Sequence, residues 1–248
     1  MMVLLAAIVA IPKSVGGSPF KMGTFTTKQL IIFDLDGTLI DSVPDLAQAL
    51  NLMLTDLNRP KFPEATIRPW VGNGALVLVK RALSANINMD KTLDEALIAK
   101  ALEIFLQHYQ AHLADNTRPY LHVKSTLKKL KIEGYHLSII TNKPTPFVAP
   151  ILKRLGLEEL IEQYLGGESL LEKKPNPLPL LHLCRELNIT IEDAVMVGDS
   201  KNDLLAASRA GMESIAVTYG YNQGENLEDY NPTAMIDTFA DILPLFNR

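Results

Sequence analysis

The chain has 248 residues, 47% of them hydrophobic, enough for one large or two modest domains around a sizeable core. Its 24 Lys+Arg and 28 Asp+Glu are well mixed, with a formal net charge of -4, and no basic block is interleaved with aromatics, so nucleic acid is not an expected partner. The single cysteine, Cys184, leaves no disulfide framework or thiolate metal cluster and fits a reducing cytosol.

The chain opens on "MMVLLAAIVAIPKSVGGSPFKM". Its run of roughly nine apolar residues is short of the about 20 that span a bilayer, and Lys13 follows the run instead of preceding it as in a secretory signal. Residues 1–26 are therefore read as an extension outside the fold, with translation expected to begin near Met22 and no membrane partner.

From Leu30 onward, short apolar runs alternate with amphipathic segments, the pattern of βα units and a parallel sheet. Strands are predicted at Leu30–Phe33, 137–140, 194–197, 214–217 and Ala234–Ile236, and helices at 124–133, 146–155, 178–187 and 202–210. Gly134, Gly156 and Gly211 stand where C-terminal caps are expected. Between Asp45 and about Asp115 the rhythm changes. "DLAQALNLMLTDLN", "ALVLVKRALSA" and "TLDEALIAKALEIFLQHYQAHLA" repeat their apolar residues at three and four, which is helix only. The expected architecture is α/β: a Rossmann-like parallel sheet core, residues 27–44 and 117–248, with an inserted all-α helical cap, residues 45–116, hinged near 42–45 and 116–120.

In open parallel sheets, ligands bind outside the carboxyl ends of the strands. Asp34 and Asp36 follow the first predicted strand in "IIFDLDGTLIDS", Thr141 and Asn142 follow the second in "LSIITNK", and Asp199 and Asp203 follow another in "AVMVGDSKND". Lys174 lies in "EKKPNP" before a helix. Carboxylates crowded at one site repel unless a cation or proton offsets them, and a hard divalent ion with oxygen ligands does so. Magnesium suits a site of Asp34, Asp199 and one backbone carbonyl, with Lys and Thr left for phosphoryl oxygens. An alkoxide leaving at neutral pH needs a proton, so a second Asp two residues on favours phosphoester chemistry.

"DLDGTLIDS", "TNK", "KKP" and "GDSKND", in this order and spacing, resemble the four motifs of the haloacid dehalogenase-like hydrolase superfamily, from Leu30 to the end of the chain. Within it, "TNKPTPFVAP", "GDSKNDLLAASRAG", "TYGYNQGE" and "WVGNGA" resemble the bacterial phosphoglycolate phosphatase family. The resemblance implies a Mg²⁺-dependent hydrolysis of 2-phosphoglycolate, a small phosphorylated metabolite, through an aspartyl-phosphate. It makes Asp34 the nucleophile and a metal ligand. Asp36 becomes the general acid and base, with its backbone carbonyl on the metal. Thr141 would bind the phosphoryl group, Lys174 would balance its charge and hold Asp34, Asp199 would ligate the metal, and Asp203 would act behind it. A cytoplasmic monomer or homodimer is expected. "KKPNPLP" departs from the family's usual "KKPHPDP" at Asn176 and Leu178, which touches helix capping or substrate preference and leaves Lys174 intact. A broader sugar-phosphate or nucleotide phosphatase, a phosphosugar mutase and a binding module without turnover remain open on the same scaffold.

For the substrate's far end, Gly72, Asn73 and Gly74 precede an amphipathic helix, whose free N–H groups suit a carboxylate. Asn142 is assigned to substrate as well, although Asn142 and Lys143 read equally as a turn before Pro144. Arg81 lies two turns beyond the glycines, too far for contact. Asp41 and Ser42 are expected to N-cap the next helix, and Asp203 also suits a helix N-terminus. Trp70 is expected in the cap interior, the five histidines on the surface or in packing, and "TYGYNQGE" in a structural turn near the site.

Overall fold

The computed structural model describes residues 24–246. Residues 1–23, most of the expected extension, lie outside the described residues. Residues 24–26 are a correction to that expectation. Phe25 is fully buried, its ring 5.5 Å from that of Phe246 and its N–H donating to Leu245 O at 2.8 Å, because an aromatic there closes the bottom of the core.

The chain runs β1 (Leu30–Phe33), β2 (Ile40–Asp41), α1 (Val43–Asp56), α2 (Glu64–Ile67), α3 (Ala75–Ser84) and α4 (Glu95–Ala111). It continues with β3 (Arg118–Pro119), α5 (Val123–Ile132), β4 (His136–Ile140), α6 (Thr145–Leu155), β5 (Gln163–Leu165) and α7 (Leu178–Glu186). Last come β6 (Ala194–Gly198), α8 (Lys201–Ala210), β7 (Glu213–Val217), β8 (Ala234–Ile236) and α9 (Leu243–Phe246). The six-stranded sheet is parallel, in the order β5-β4-β1-β6-β7-β8. All four residues of β1 are buried, as expected of a central strand covered on both faces. Alternation divides them: Ile31 and Phe33 join Val195, Val197 and Ile139 on one side, while Leu30 and Ile32 join Met196, Leu180 and Cys184 on the other. Gly156 and Gly211 close α6 and α8 in the left-handed conformation, as the sequence leads one to expect.

The chain leaves β1 for β4 and β5 on one side and β6 to β8 on the other, so the switch point of the sheet lies at the carboxyl end of β1. Helices α1 to α4 intervene before β3 and pack on one another, α1 and α3 both against α4. Trp70 is buried among them with Phe62 edge-on at 5.1 Å. The two crossings are tied in a way the sequence does not announce. β2 and β3 pair antiparallel, Ile40 with Pro119 and Asp41 with Arg118. The fully buried Asp45 carboxylate accepts from Asn116 N, Thr117 N and Thr117 Oγ1 at 2.6–2.8 Å. Among the described residues, no helix is long and apolar enough to cross a membrane.

Candidate active site

Asp34 leaves β1 with its N–H donating to Val197 O at 2.9 Å, and its carboxylate is buried beside three charged neighbours. Lys174 Nζ lies 3.0 Å from Asp34 Oδ1 and 2.6 Å from Asp203 Oδ1, and donates to Ile140 O at 2.5 Å. Asp203 is anchored by α8 itself: its Oδ2 accepts from Ser200 N and Oγ at 3.1 and 2.8 Å, a capping box. Asp203 therefore stands at the N-terminus of α8 and against Lys174 at the same time. Asp199, at the end of β6, accepts from Thr38 Oγ1 at 2.9 Å and Tyr221 N at 2.6 Å. Gly37, at φ +87°, leaves no room for a side chain, since a Cβ there would lie 2.2 Å from Asp199 Oδ2.

One oxygen from each of Asp34, Asp199 and Asp203 lies within 4.8 Å of the others. Burial, offset in part by Lys174 and reinforced by Asp203 and Asp36, pushes the Asp34 carboxyl up to about 7. Burial, with Asp203 and Asp34, also raises Asp199 well above the carboxylate range. A single buried ammonium does not neutralise this cluster, and an oxygen-coordinated cation would.

Asp36 stands apart from that trio. Its Oδ1 accepts from Ser42 Oγ at 2.6 Å, and both its oxygens lie 3.0 Å from Lys143 Nζ. Burial works to lower the Lys143 ammonium, but Asp36 and Tyr109 beside it together outweigh that and hold it above its ordinary value. Ser42 corrects the capping expectation. It occupies the N-cap position of α1 without a side-chain cap bond, because its hydroxyl is taken by Asp36 and Pro44 offers no N–H. Asp41 gives Val43 N only a 3.3 Å bond and serves chiefly Arg68 and the Tyr221 hydroxyl.

A cavity opens above these groups. Asp34, Asp36, Thr141, Asn142 and Lys143 line it from the sheet side, and Gly72, Gly74, Leu78, Phe105 and Tyr109 from the helices. Gly72 O accepts from Asn142 Nδ2 at 3.3 Å and Asn202 Nδ2 at 3.2 Å, so the loop before α3 is fastened over the strand ends. Asn73 is not brought to the cavity wall. Gln223 Nε2 takes its Oδ1 at 2.9 Å and Lys173 takes its carbonyl at 3.2 Å, which makes it a fastener of the loop. Gly74 has φ +89°, and a Cβ on it would lie 3.0 Å from Asn142 O, so a bulky residue there strains the backbone and presses on the loop after β4. Arg81 is turned away, donating to Trp70 O at 2.6 Å.

In the sequence alone Lys143 reads equally as a site residue or as part of a polar turn before Pro144. Tyr221 was legible only as part of a Gly- and Tyr-rich turn, yet it joins Asp199, Asp41 and Ser42 N. Three histidines pair separately, His108 with Asp56, His112 with Asp115 and His136 with Glu162, away from the carboxylate trio.

A family model described as haloacid dehalogenase-like hydrolase matches residues 31–217. A phosphoglycolate phosphatase of Colwellia psychrerythraea is 50% identical to this chain over 221 residues, 89% of this chain and 98% of its own. One from Psychrobacter arcticus is 48% identical over 217 residues, 87% of this chain and 94% of its own. The crystal structure of a predicted phosphoglycolate phosphatase from Haemophilus somnus matches with a TM-score of 0.83 at 40% identity, covering 90% of this chain and 99% of the other.

Proposed function

The chain belongs to the haloacid dehalogenase-like hydrolases and is a phosphatase acting on a small phosphorylated substrate, and from that premise we propose that it hydrolyses 2-phosphoglycolate to glycolate and phosphate. The observation that carries this reading is the division of two carboxylates, two residues apart, into different settings. Asp34 sits in the Lys174–Asp203–Asp199 cluster, while Asp36 is held by Lys143 and Ser42. Carboxylates so separated take different parts in one reaction.

In the first half-reaction an Asp34 oxygen bonds to phosphorus as the ester P–O bond breaks, and Asp36 gives its proton to the departing alkoxide. In the second, Asp36 takes a proton from water, the water oxygen bonds to phosphorus, and the bond to Asp34 breaks, which frees the Asp34 carboxylate and leaves Asp36 protonated for the next turnover. Lys174 keeps Asp34 aligned and Thr141 orients a phosphoryl oxygen. Asp203 fixes Lys174, and the α1–α4 helices act as the cap, placing Gly72, Gly74 and Asn142 around the substrate. Magnesium fits the hard oxygen donors Asp34, Asp199 and the Asp36 carbonyl, and when bound it supplies positive charge against the phosphoryl oxygens. We read the enzyme as cytoplasmic, a monomer or homodimer without nucleic-acid or membrane partners.

Phosphate release across a panel tests the substrate. Phosphoglycolate should exceed sugar phosphates, nucleotides and para-nitrophenyl phosphate in kcat/KM by about tenfold or more. An even response across the panel would indicate a broad phosphatase, and phosphate exchange without net release a mutase.

Asp36→Asn keeps the backbone carbonyl and removes proton transfer, so kcat should fall by roughly 10² to 10⁴. Phosphoenzyme formation from para-nitrophenyl phosphate, with its good leaving group, should suffer less than that from an alkyl phosphate. Equal losses in single turnover would remove Asp36 as the acid.

The raised Asp34 pKa also makes stability depend on pH. The folded metal-free protein binds this proton more tightly than the unfolded chain, so a stability penalty grows as pH climbs from about 3.8 to about 7. A divalent cation stabilises the ionised form and offsets the penalty. Millimolar MgCl₂ should therefore raise Tm more at pH 8 than at pH 5, and chelation should reverse the gain. The same rise at both pH values in wild type and Asp34→Asn would mean the ion binds elsewhere.

A further inference from the structure

Two groups in the cavity have no contact with the substrate assigned to them. Tyr109, on α4, is 1% exposed and lines the cavity, yet its hydroxyl proton has no acceptor, the Lys143 ammonium beside it being a donor only. A buried hydroxyl proton without an acceptor is costly, and a phenylalanine would fill the same space without that cost. The ring itself is well seated, stacked on Phe105 at 5.8 Å and edge-on to Phe147 at 5.0 Å, so packing accounts for the ring and leaves the oxygen unexplained. Lys143 is the second group. Its Nζ sits 4.8 Å from the Tyr109 ring centroid, and it is the ammonium among the residues lining this cavity.

The chemistry of the substrate brings these two together. In 2-phosphoglycolate the carboxylate carbon is two bonds from the ester oxygen that Asp36 must protonate. A cation that holds Asp36 against that oxygen therefore stands beside the carboxylate. Burial, against the pull of Lys143, raises the Tyr109 phenol to about 12, so its hydroxyl remains a donor. Phe105, Phe147 and Leu78 line the same space and suit the methylene between the two anionic ends.

We infer that the Tyr109 hydroxyl and the Lys143 ammonium together seat the substrate's carboxylate. The inference rests on the proposed phosphoglycolate activity and names the residues that give it selectivity. One donor comes from the helical insertion and the other from the loop after β4, so the carboxylate joins the two halves of the site. A phosphoester lacking it leaves the hydroxyl unpaired and the halves less firmly joined.

The test compares 2-phosphoglycolate with 2-hydroxyethyl phosphate, which replaces the carboxylate by a neutral group. Tyr109→Phe should raise KM for phosphoglycolate and cut the kcat/KM preference for it over hydroxyethyl phosphate by about 10- to 100-fold, the worth of one hydrogen bond to a charged group. Tm should stay level or rise, since a hydroxyl proton without an acceptor has no bond to lose. Lys143→Gln should cut the same ratio, on top of a kcat loss with both substrates through Asp36, and Lys143→Arg should restore part of the ratio. A wild-type enzyme without preference for phosphoglycolate would overturn the substrate assignment and this inference with it. A wild-type preference that survives in Tyr109→Phe and Lys143→Gln would overturn the inference alone and leave selectivity to the N–H groups at Gly74.

Discussion

Asp34→Asn is expected to lose phosphate release by roughly 10⁴-fold or more while remaining folded. An amide oxygen is a far weaker nucleophile than a carboxylate, and the substitution also removes a charge from the proposed cation site. Folding should not suffer. Asp34 is one of three crowded, buried carboxylates, and burial already drives it toward the neutral form. Metal-free Asp34→Asn should therefore be at least as stable as wild type above pH 7, and circular dichroism melts at pH 5 and pH 8 measure this. Turnover within tenfold of wild type by a well-folded variant would remove Asp34 from the chemistry.

Lys174→Met is expected to lose both activity and stability. The ammonium is 2% exposed and touches Asp34, Asp203 and the Ile140 carbonyl, so its removal leaves buried carboxylates without their cation. Breaking a buried pair from one side costs about 3–5 kcal/mol, which in a chain of this size lowers Tm by about 10 °C. The loss should be greatest at high pH, where the carboxylates must ionise, and smaller near pH 5, where Asp34 can hold a proton. Adding Asp203→Asn should recover part of the stability, since it removes the other partner, without recovering turnover. A Tm unchanged by Lys174→Met at pH 8 would contradict the electrostatic account of this cluster.

Much of the sheet was legible because its strands are continuous apolar runs ending in polar loops. Leu30–Phe33 and Ala234–Ile236 were found with their bounds, and the other long strands to within a residue. β5 was not found. Its three residues form a partly exposed edge, so neither alternation nor an apolar run marks them. The β2–β3 pair is invisible for another reason: two residues on each side meet across the whole helical insertion, and no local pattern encodes such a contact.

The same division runs through the site. Asp34, Asp36, Thr141, Lys174 and Asp199 lie in loops, and Asp203 in the first turn of α8, that the order of strands brings together, and polar residues after strands or before helices made them visible. Groups whose purpose is to hold another side chain were harder to see. Ser42 looks like a helix cap until Asp36 is placed beside it, and Asn73 looks like a ligand-facing residue until Gln223 claims its side chain. Lys143 and Tyr109 lie more than thirty residues apart on different elements, and their meeting depends on how α4 lies over the loop after β4.

Phosphoryl transfer to Asp34 leaves a covalent intermediate that can be trapped. Wild-type enzyme mixed with 2-phosphoglycolate and MgCl₂ would be quenched in acid within the first turnover, digested and read by mass spectrometry. The peptide containing Asp34 should carry one phosphoryl group, which disappears as substrate is exhausted and never forms in Asp34→Asn. Phosphate release at full rate with no phosphoryl group at Asp34 at any quench time, or with the group on another residue, would mean that Asp34 is not the nucleophile.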